Sequence, residues 1–221
     1  MTQIKLISYS QLPQESDLDL DSAQELIAYC ARVSNPSNQM NSETSEKLIK
    51  YLIKHAHWSP LEMVSVCLEI NTTRDIAHQI VRHRSFSFQE FSQRYAEPKK
   101  MGEMFVTREC RMQDSKNRQN SVETNDQELI DGWRVLQEDL IQHATRVYDW
   151  AIAQGIAKEQ ARAVLPEGLT KTRLYMNGTL RSWVHYIDLR GAHGTQKEHM
   201  EIAKACSLVI SKIFPIVNDL R

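Results

Sequence analysis

Glycine is scarce, with seven in 221 residues, and no Gly-x-Gly-x-x-Gly follows a strand-like run. That excludes the doubly wound fold, which cradles a dinucleotide pyrophosphate on such a turn. The four cysteines (Cys30, Cys67, Cys110, Cys206) are scattered, with no Cys-x-x-Cys pair and no histidines at zinc spacing. Reduced structural thiols and no metal centre are expected. No apolar run reaches the roughly 18 residues of a membrane-spanning helix. The segment MTQIKLISYS lacks the apolar stretch of a signal peptide, so a cytoplasmic location is expected. A single sign of charge is missing too: 27 Lys and Arg balance 28 Asp and Glu, for a net charge of −1. Bulk binding to nucleic acid or an anionic membrane needs a positive surface and is disfavoured.

What remains is a soluble-type composition, 41% hydrophobic and 25% charged, with no repeat, low-complexity tract or long linker. A single domain over residues 1–221 is expected, large enough for a real core. Ile4–Tyr9 reads as a strand, Asp21 or Ser22 to Arg32 as a helix, and Asn41 or Ser42 to Ile53 as another. HAHWSPLE is a turn broken by Pro60. Val64, Val66, Leu68 and Ile70 alternate as in a half-buried strand. Thr73–Arg84 reads as a helix. Met104–Arg108 suggests a strand and Cys110–Asp126 a polar loop. Gln127–Gln154 is a long amphipathic helix with Leu129, Trp133, Leu136, Leu140 and Val147. A short helix runs from Lys158 to Pro166, a strand spans Arg173–Met176, and helices cover Leu180–Leu189 and Gln196–Phe214. The fold class expected is α+β and helix-rich, with a small, mostly antiparallel sheet.

The densest chemistry lies in RHRSFSFQEFSQRY, Arg82–Tyr95. Gln79, Arg82 and His83 share one helical face. After Arg84 the period changes to two, and Glu90, Ser92 and Arg94 fall on one side of an extended chain. A carboxylate, a hydroxyl and a guanidinium on one edge suit a polar ring, a sugar and a phosphate. Arginines grouped in a near-neutral chain suit a small anion better than a polymer, although Phe86, Phe88, Phe91 and Tyr95 would also fit a single-strand stacking surface.

This run resembles the signature of the flavin-dependent thymidylate synthases: Arg82, His83, Arg84, Ser87, Glu90, Ser92 and Arg94 match at the right spacing, with Gln89 where the family has Asn. Four more segments resemble the family. ARVS ends at Ser34. HWSPLE carries His57, Ser59 and Glu62, with Met63 where a second His is common. QARAVLP and TLRSWVHYIDLR carry Arg162, Arg181 and Arg190, with Thr179 and His185 in place of two asparagines. The resemblance implies FAD as cofactor, NADPH and methylenetetrahydrofolate as co-substrates, deoxyuridine monophosphate (dUMP) as substrate, and a homotetramer with FAD between subunits. It implies nucleotide contacts from Gln79, Arg82, Gln89, Glu90, Ser92, Arg94, Arg162 and Arg190, with Arg190 acting on the uracil. It implies flavin contacts from Ser34, His57, Ser59, Glu62, Arg82, His83, Arg84, Ser85, Thr179, Arg181 and His185. No Cys lies beside a His in a promising loop, so no thiolate nucleophile is expected. A related flavoenzyme acting on another pyrimidine nucleotide is the competing reading.

Overall fold

The computed structural model describes residues 3–220. In chain order the elements are β1 (Gln3–Tyr9), α1 (Ala23–Ala31), α2 (Ser45–Lys54), β2 (Ser65–Thr73), α3 (Arg74–Ile80), β3 (Ser87–Glu90), β4 (Arg111–Gln113), β5 (Ser121–Glu123), α4 (Gln127–Ala153), α5 (Lys158–Ala161), β6 (Lys171–Thr179), α6 (Leu180–Gly191) and α7 (Lys197–Ile210). Four strands form an antiparallel sheet in the order β1-β2-β6-β3, and β4 pairs with β5 separately.

The central strands set the layers. Val66, Leu68 and Ile70 of β2 and Leu174 and Met176 of β6 are fully buried on one face, because side chains alternate across a strand. Against them pack Ile76 and Ile80 of α3, Trp183 and Ile187 of α6, and Ile202 and Ile210 of α7, with Ile27 and Ile49 of α1 and α2 completing the core. Each such burial contributes about 1.5–3 kcal/mol relative to exposure. A smaller cluster joins Ala144, Tyr148 and Ala151 of α4 to Met104, Phe105, Leu165 and Leu169. Among the described residues no helix is long and apolar enough to cross a membrane.

Four local expectations are corrected. The Thr73–Arg84 helix stops at Ile80, because Phe86 and Phe88 are drawn inward and the chain must straighten to pair β3 with β6. Met104–Arg108 contributes one isolated bridge, Phe105 to Thr170, rather than a strand. Cys110–Asp126 is not a plain loop: β4 and β5 form a hairpin. Its end is tied by Asp114, which accepts from the Lys116 and Asn117 N–H groups at 2.8 and 3.1 Å. Such side-chain-closed turns leave no apolar signal. In α4 the expected apolar face points away from the chain's own core. Leu129, Trp133, Leu136 and Leu140 are 41–65% exposed, and the buried face is Gln137, Ala144, Tyr148 and Ala151. Gln137 is satisfied there by the Arg108 backbone, donating to its O at 3.0 Å and accepting from its N at 2.7 Å.

Two direct strand-to-helix passages position the site. β2 runs into α3, and β6 runs into α6, where Thr179 caps the helix by accepting from Ser182 N. Because β2 and β6 are antiparallel neighbours, α3 and α6 leave the sheet at opposite ends, and both pack into the core on its buried face.

Candidate active site

After α3 the chain turns through Arg82–Ser85, with His83 N donating to Ile80 O at 3.1 Å and Phe86 N to His83 O at 3.2 Å. Phe86 anchors this turn. Its ring is buried, meets Trp183 edge-on at 4.9 Å, and lies over Gly178 so closely that a Cβ there would sit 2.4 Å from it. Ser182 Oγ donates to Ser85 O at 3.2 Å, tying the same turn to α6.

Anchoring brings His83 to Arg190, in the last turn of α6. Arg190 Nε donates to His83 Nε2 at 2.9 Å. The imidazole therefore accepts there and is neutral, its proton on Nδ1. Burial first, and the Arg190 charge second, hold its pKa below the ordinary value. Among the described residues both Nη groups of Arg190 have no hydrogen-bond partner. Among the described residues, Arg82, Arg84, Arg162 and Arg190 have no carboxylate partner, whereas Arg74, Arg94, Arg108, Arg111, Arg173 and Arg181 do. Arg82 and Arg84 belong to this turn and Arg190 bonds His83 within it; guanidiniums without a carboxylate partner suit an anion.

Behind this surface lies a buried polar chain that sequence reasoning missed. His199 of α7 is fully buried, with Nε2 3.0 Å from Tyr186 Oη and Nδ1 3.2 Å from Gln79 Oε1. Tyr186 Oη is buried and His199 is its one hydrogen-bond partner among the described residues. A buried hydroxyl proton needs an acceptor, so Tyr186 donates to Nε2, and His199 Nδ1–H donates to Gln79. Burial, then the Arg190 charge and coupling to nearby His83, push the His199 pKa down to about 4. Burial holds the Tyr186 hydroxyl well above its usual range. The Gln79 carbonyl is thereby occupied and its NH2 turns outward, resting on Gln196 Oε1 at 2.7 Å. Tyr186 sits inside the TLRSWVHYIDLR segment, but nothing in the sequence links it to His199.

The remaining expected nucleotide residues form a second group. Glu90, at the end of β3, accepts from Arg74 Nη1 at 3.0 Å and Thr172 Oγ1 at 2.8 Å. Arg74 and Thr172 were not foreseen. Beyond Glu90 the strand gives way to a turn in which Tyr95 N and Ala96 N donate to Ser92 O, both at 3.0 Å. Ser92 and Arg94 therefore do not continue the Glu90 edge. Arg94 is exposed and pairs with Glu159 at 3.1 Å, a contact worth about 1 kcal/mol or less in water and readily exchanged for another anion. Gln89 is exposed opposite Tyr175, and Arg162 is half-buried in the turn after α5.

The expected flavin residues form a third group. Glu62 pairs with Arg181 across the start of α6. His185 stacks at 4.4 Å on Trp58 of the HWSPLE turn. His57 and Ser59 are exposed on that turn, and Ser34 is exposed after α1. Thr179 reaches Ser85 through Ser182. No hydrogen bond or ion pair joins the Glu90–Arg94 group to the Arg190 group among the described residues. A cavity of about 400 Å³ lies elsewhere, lined by Asn71, Arg108, Lys171, Arg173, Lys197 and Glu198 among others. Its cations are already paired, Arg108 with Asp75 at 2.8 Å and Lys197 with Glu109 at 2.8 Å.

A helix-flanked antiparallel sheet with an Arg-His-Arg turn locked to the end of a second helix thus defines an α+β protein with a cationic, partly open half-site. Comparison with known proteins narrows this. Residues 18–216 match the family described as thymidylate synthase complementing protein, Thy1. A relative from Paramecium bursaria Chlorella virus 1, named a probable flavin-dependent thymidylate synthase, is 47% identical over 213 residues, covering 96% of this chain and 95% of the relative. The flavin-dependent thymidylate synthase of Synechocystis is 48% identical over 196 residues, covering 89% and 88%. The fold is similar to that of the UMP/dUMP methylase PolB of Streptomyces cacaoi bound with 5-Br dUMP, with a TM-score of 0.81 at 22% identity, covering 100% of this chain and 94% of that one. The chain belongs to the flavin-dependent thymidylate synthase family.

Proposed function

We propose that this protein is an FAD-dependent thymidylate synthase, a single domain over 1–221 that converts dUMP to dTMP with methylenetetrahydrofolate as carbon donor and NADPH as reductant. The observation that carries the reading is Arg190, held by neutral His83 with both Nη groups free. A guanidinium so fixed polarises a uracil carbonyl and stabilises negative charge developing on the ring. Gln79, with its NH2 turned outward, donates to the same nucleotide. Arg82, Arg94 and Arg162 supply charge for the phosphate, joined by Ser92, while Glu90 and Gln89 meet the sugar and base. Glu90 accepts a sugar hydroxyl with the oxygen that Arg74 and Thr172 leave free.

The residues also fit a flavin. Among the described residues Arg82 and Arg84 lack carboxylate partners, His83 and Ser85 share their turn, and Thr179 reaches Ser85 through Ser182; Arg181, Glu62, His185, His57, Ser59 and Ser34 are assigned to the same cofactor on the family resemblance. When bound, FAD supplies the redox chemistry that the protein's own side chains lack; the residues above position the nucleotide and exclude water. Burial raises the thiol pKa of Cys30, Cys67 and Cys206, which supports a route without a cysteine nucleophile. The separation of the Glu90–Arg94 group from Arg190 supports a homotetramer in which each site is completed by neighbouring copies.

The test is product formation by the purified protein with FAD, NADPH, methylenetetrahydrofolate and dUMP, read by mass spectrometry. The expected outcome is dTMP that disappears when FAD or NADPH is withheld. Bound FAD with no dTMP refutes the substrate, and competition by uridine monophosphate identifies the alternative.

A further inference from the structure

The buried chain through His199 continues outward past Gln79. Gln79 Nε2 donates to Gln196 Oε1 at 2.7 Å, and Gln196 Nε2 donates to Glu198 Oε2 at 3.0 Å. Gln196 and Glu198 lie with His199 in the first turn of α7. The other Glu198 oxygen accepts from Arg111 Nη2. Burial raises the Glu198 pKa, but hydrogen bonds led by the one from Arg111 outweigh it and hold the value below the ordinary one.

A side-chain amide fits either way round, so its orientation follows from its partners. Two ends fix this chain independently. At the inner end the buried Tyr186 hydroxyl donates to His199 Nε2, so Nδ1 carries the proton and the Gln79 carbonyl accepts it. At the outer end the ionised Glu198 only accepts. Gln196 must therefore turn its NH2 to Glu198 and its carbonyl to Gln79, which answers with its own NH2. The two deductions meet at Gln79 and agree. Turning its amide over would set NH2 against the His199 N–H and carbonyl against carbonyl at Gln196, losing both bonds. Gln79 is half-buried and Gln196 exposed, so the chain reaches solvent at the Gln79 NH2. Gln196 Oε1 holds the position of an acceptor atom there. A carbonyl or phosphate oxygen can replace it, whereas an amino group would meet donor with donor.

We propose that His199 is a positioning residue for the nucleotide: backed by Tyr186, it holds Gln79 as a fixed hydrogen-bond donor, so that this corner of the site takes an oxygen acceptor of the substrate in place of Gln196 Oε1. The inference rests on the reading that dUMP binds beside Gln79, and its test separates the two. FAD-loaded, full-length parent, His199→Leu, His199→Gln, Tyr186→Phe, Gln79→Leu and the double variant His199→Leu/Gln79→Leu are compared for dUMP affinity by calorimetry and for bound FAD by absorbance. His199→Leu leaves the Gln79 carbonyl without its donor and should weaken dUMP about tenfold with FAD retained. His199→Gln can both accept and donate, and should return to within about threefold of the parent. Tyr186→Phe removes one oxygen and should weaken dUMP about threefold through the freed tautomer, which keeps the test open if His199→Leu does not fold. In the Gln79→Leu background His199→Leu should add less than about twofold, because it acts through the residue already removed. Nitrogen-15 NMR of histidine-labelled protein should show the resonances lost in His199→Leu to belong to an Nδ1–H tautomer. A parent that binds dUMP while His199→Leu and Tyr186→Phe both bind it as tightly overturns the inference and leaves the substrate reading standing. Losses that multiply in the double variant, or an Nε2–H tautomer, overturn it too. A parent that binds no dUMP refutes the substrate reading, and the inference falls with it.

Discussion

His199 allows a direct test of the buried polar chain through the pH dependence of stability. Its imidazole is enclosed by Tyr186 of α6 and Gln79 of α3, with neutral His83 and the Arg190 cation nearby, and its pKa falls from 6.5 to about 4. Between these values the unfolded chain binds a proton that the native chain refuses. Stability is therefore complete above pH 6.5 and is lost progressively as the pH falls towards 4. The full window corresponds to about 3 kcal/mol, of which about 2 kcal/mol is already gone at pH 5. His199→Gln removes the titration while keeping a polar side chain that can meet Tyr186 and Gln79. Urea denaturation of both proteins at pH 7.5 and pH 5 cancels the carboxylates they share. The stability difference between parent and variant should move by about 2 kcal/mol in the variant's favour at the lower pH. A difference that stays constant within about 0.5 kcal/mol would refute the neutral, enclosed imidazole, and with it the assigned orientation of the Gln79 amide.

Three further outcomes are expected. Gly178→Ala forces a methyl group into the Phe86 ring and should cost about 1–3 kcal/mol; in a double-mutant cycle with Phe86→Leu, measured by denaturation, the two costs should be less than additive. Arg190→Ala should abolish methyl transfer in a product assay while FAD stays bound by absorbance, and loss of FAD with retained turnover would contradict the role given to Arg190. Arg94→Ala should weaken dUMP binding by about 2 kcal/mol in calorimetry, the loss of a charge-assisted contact; unchanged affinity would remove Arg94 from the site.

Much of this was legible in the residues. Val64, Val66, Leu68 and Ile70 announced β2 because a half-buried strand writes its period into the chain, and the long amphipathic run Gln127–Gln154 announced α4. The Arg82–Arg94 run pointed to a nucleotide and flavin site through its resemblance to the family signature, whereas its charges alone would equally suit a helix C-terminus. What was not legible depended on distance in sequence. The Tyr186–His199–Gln79 chain joins α6, α7 and α3 through buried hydrogen bonds, and a lone His in an amphipathic helix carries no mark of such partners. Nothing in the sequence links Arg74, at the start of α3, to Glu90, which β3 delivers to it. The β4–β5 hairpin is held by Asp114 and Gln113 rather than by apolar alternation, so its composition read as loop. The stripe on α4 was seen, but periodicity reveals that a face is apolar without revealing what covers it.

The Arg82–Ser85 turn has a further consequence. Among the described residues Arg82, Arg84 and Arg190 have no carboxylate partner, on or beside a turn that Phe86, Ser182 and His83 hold closed. An anion that binds there only in the native state raises its stability logarithmically with concentration, by about 2.7 kcal/mol at a hundredfold excess over its dissociation constant. Resistance to unfolding then tracks the concentration of that anion.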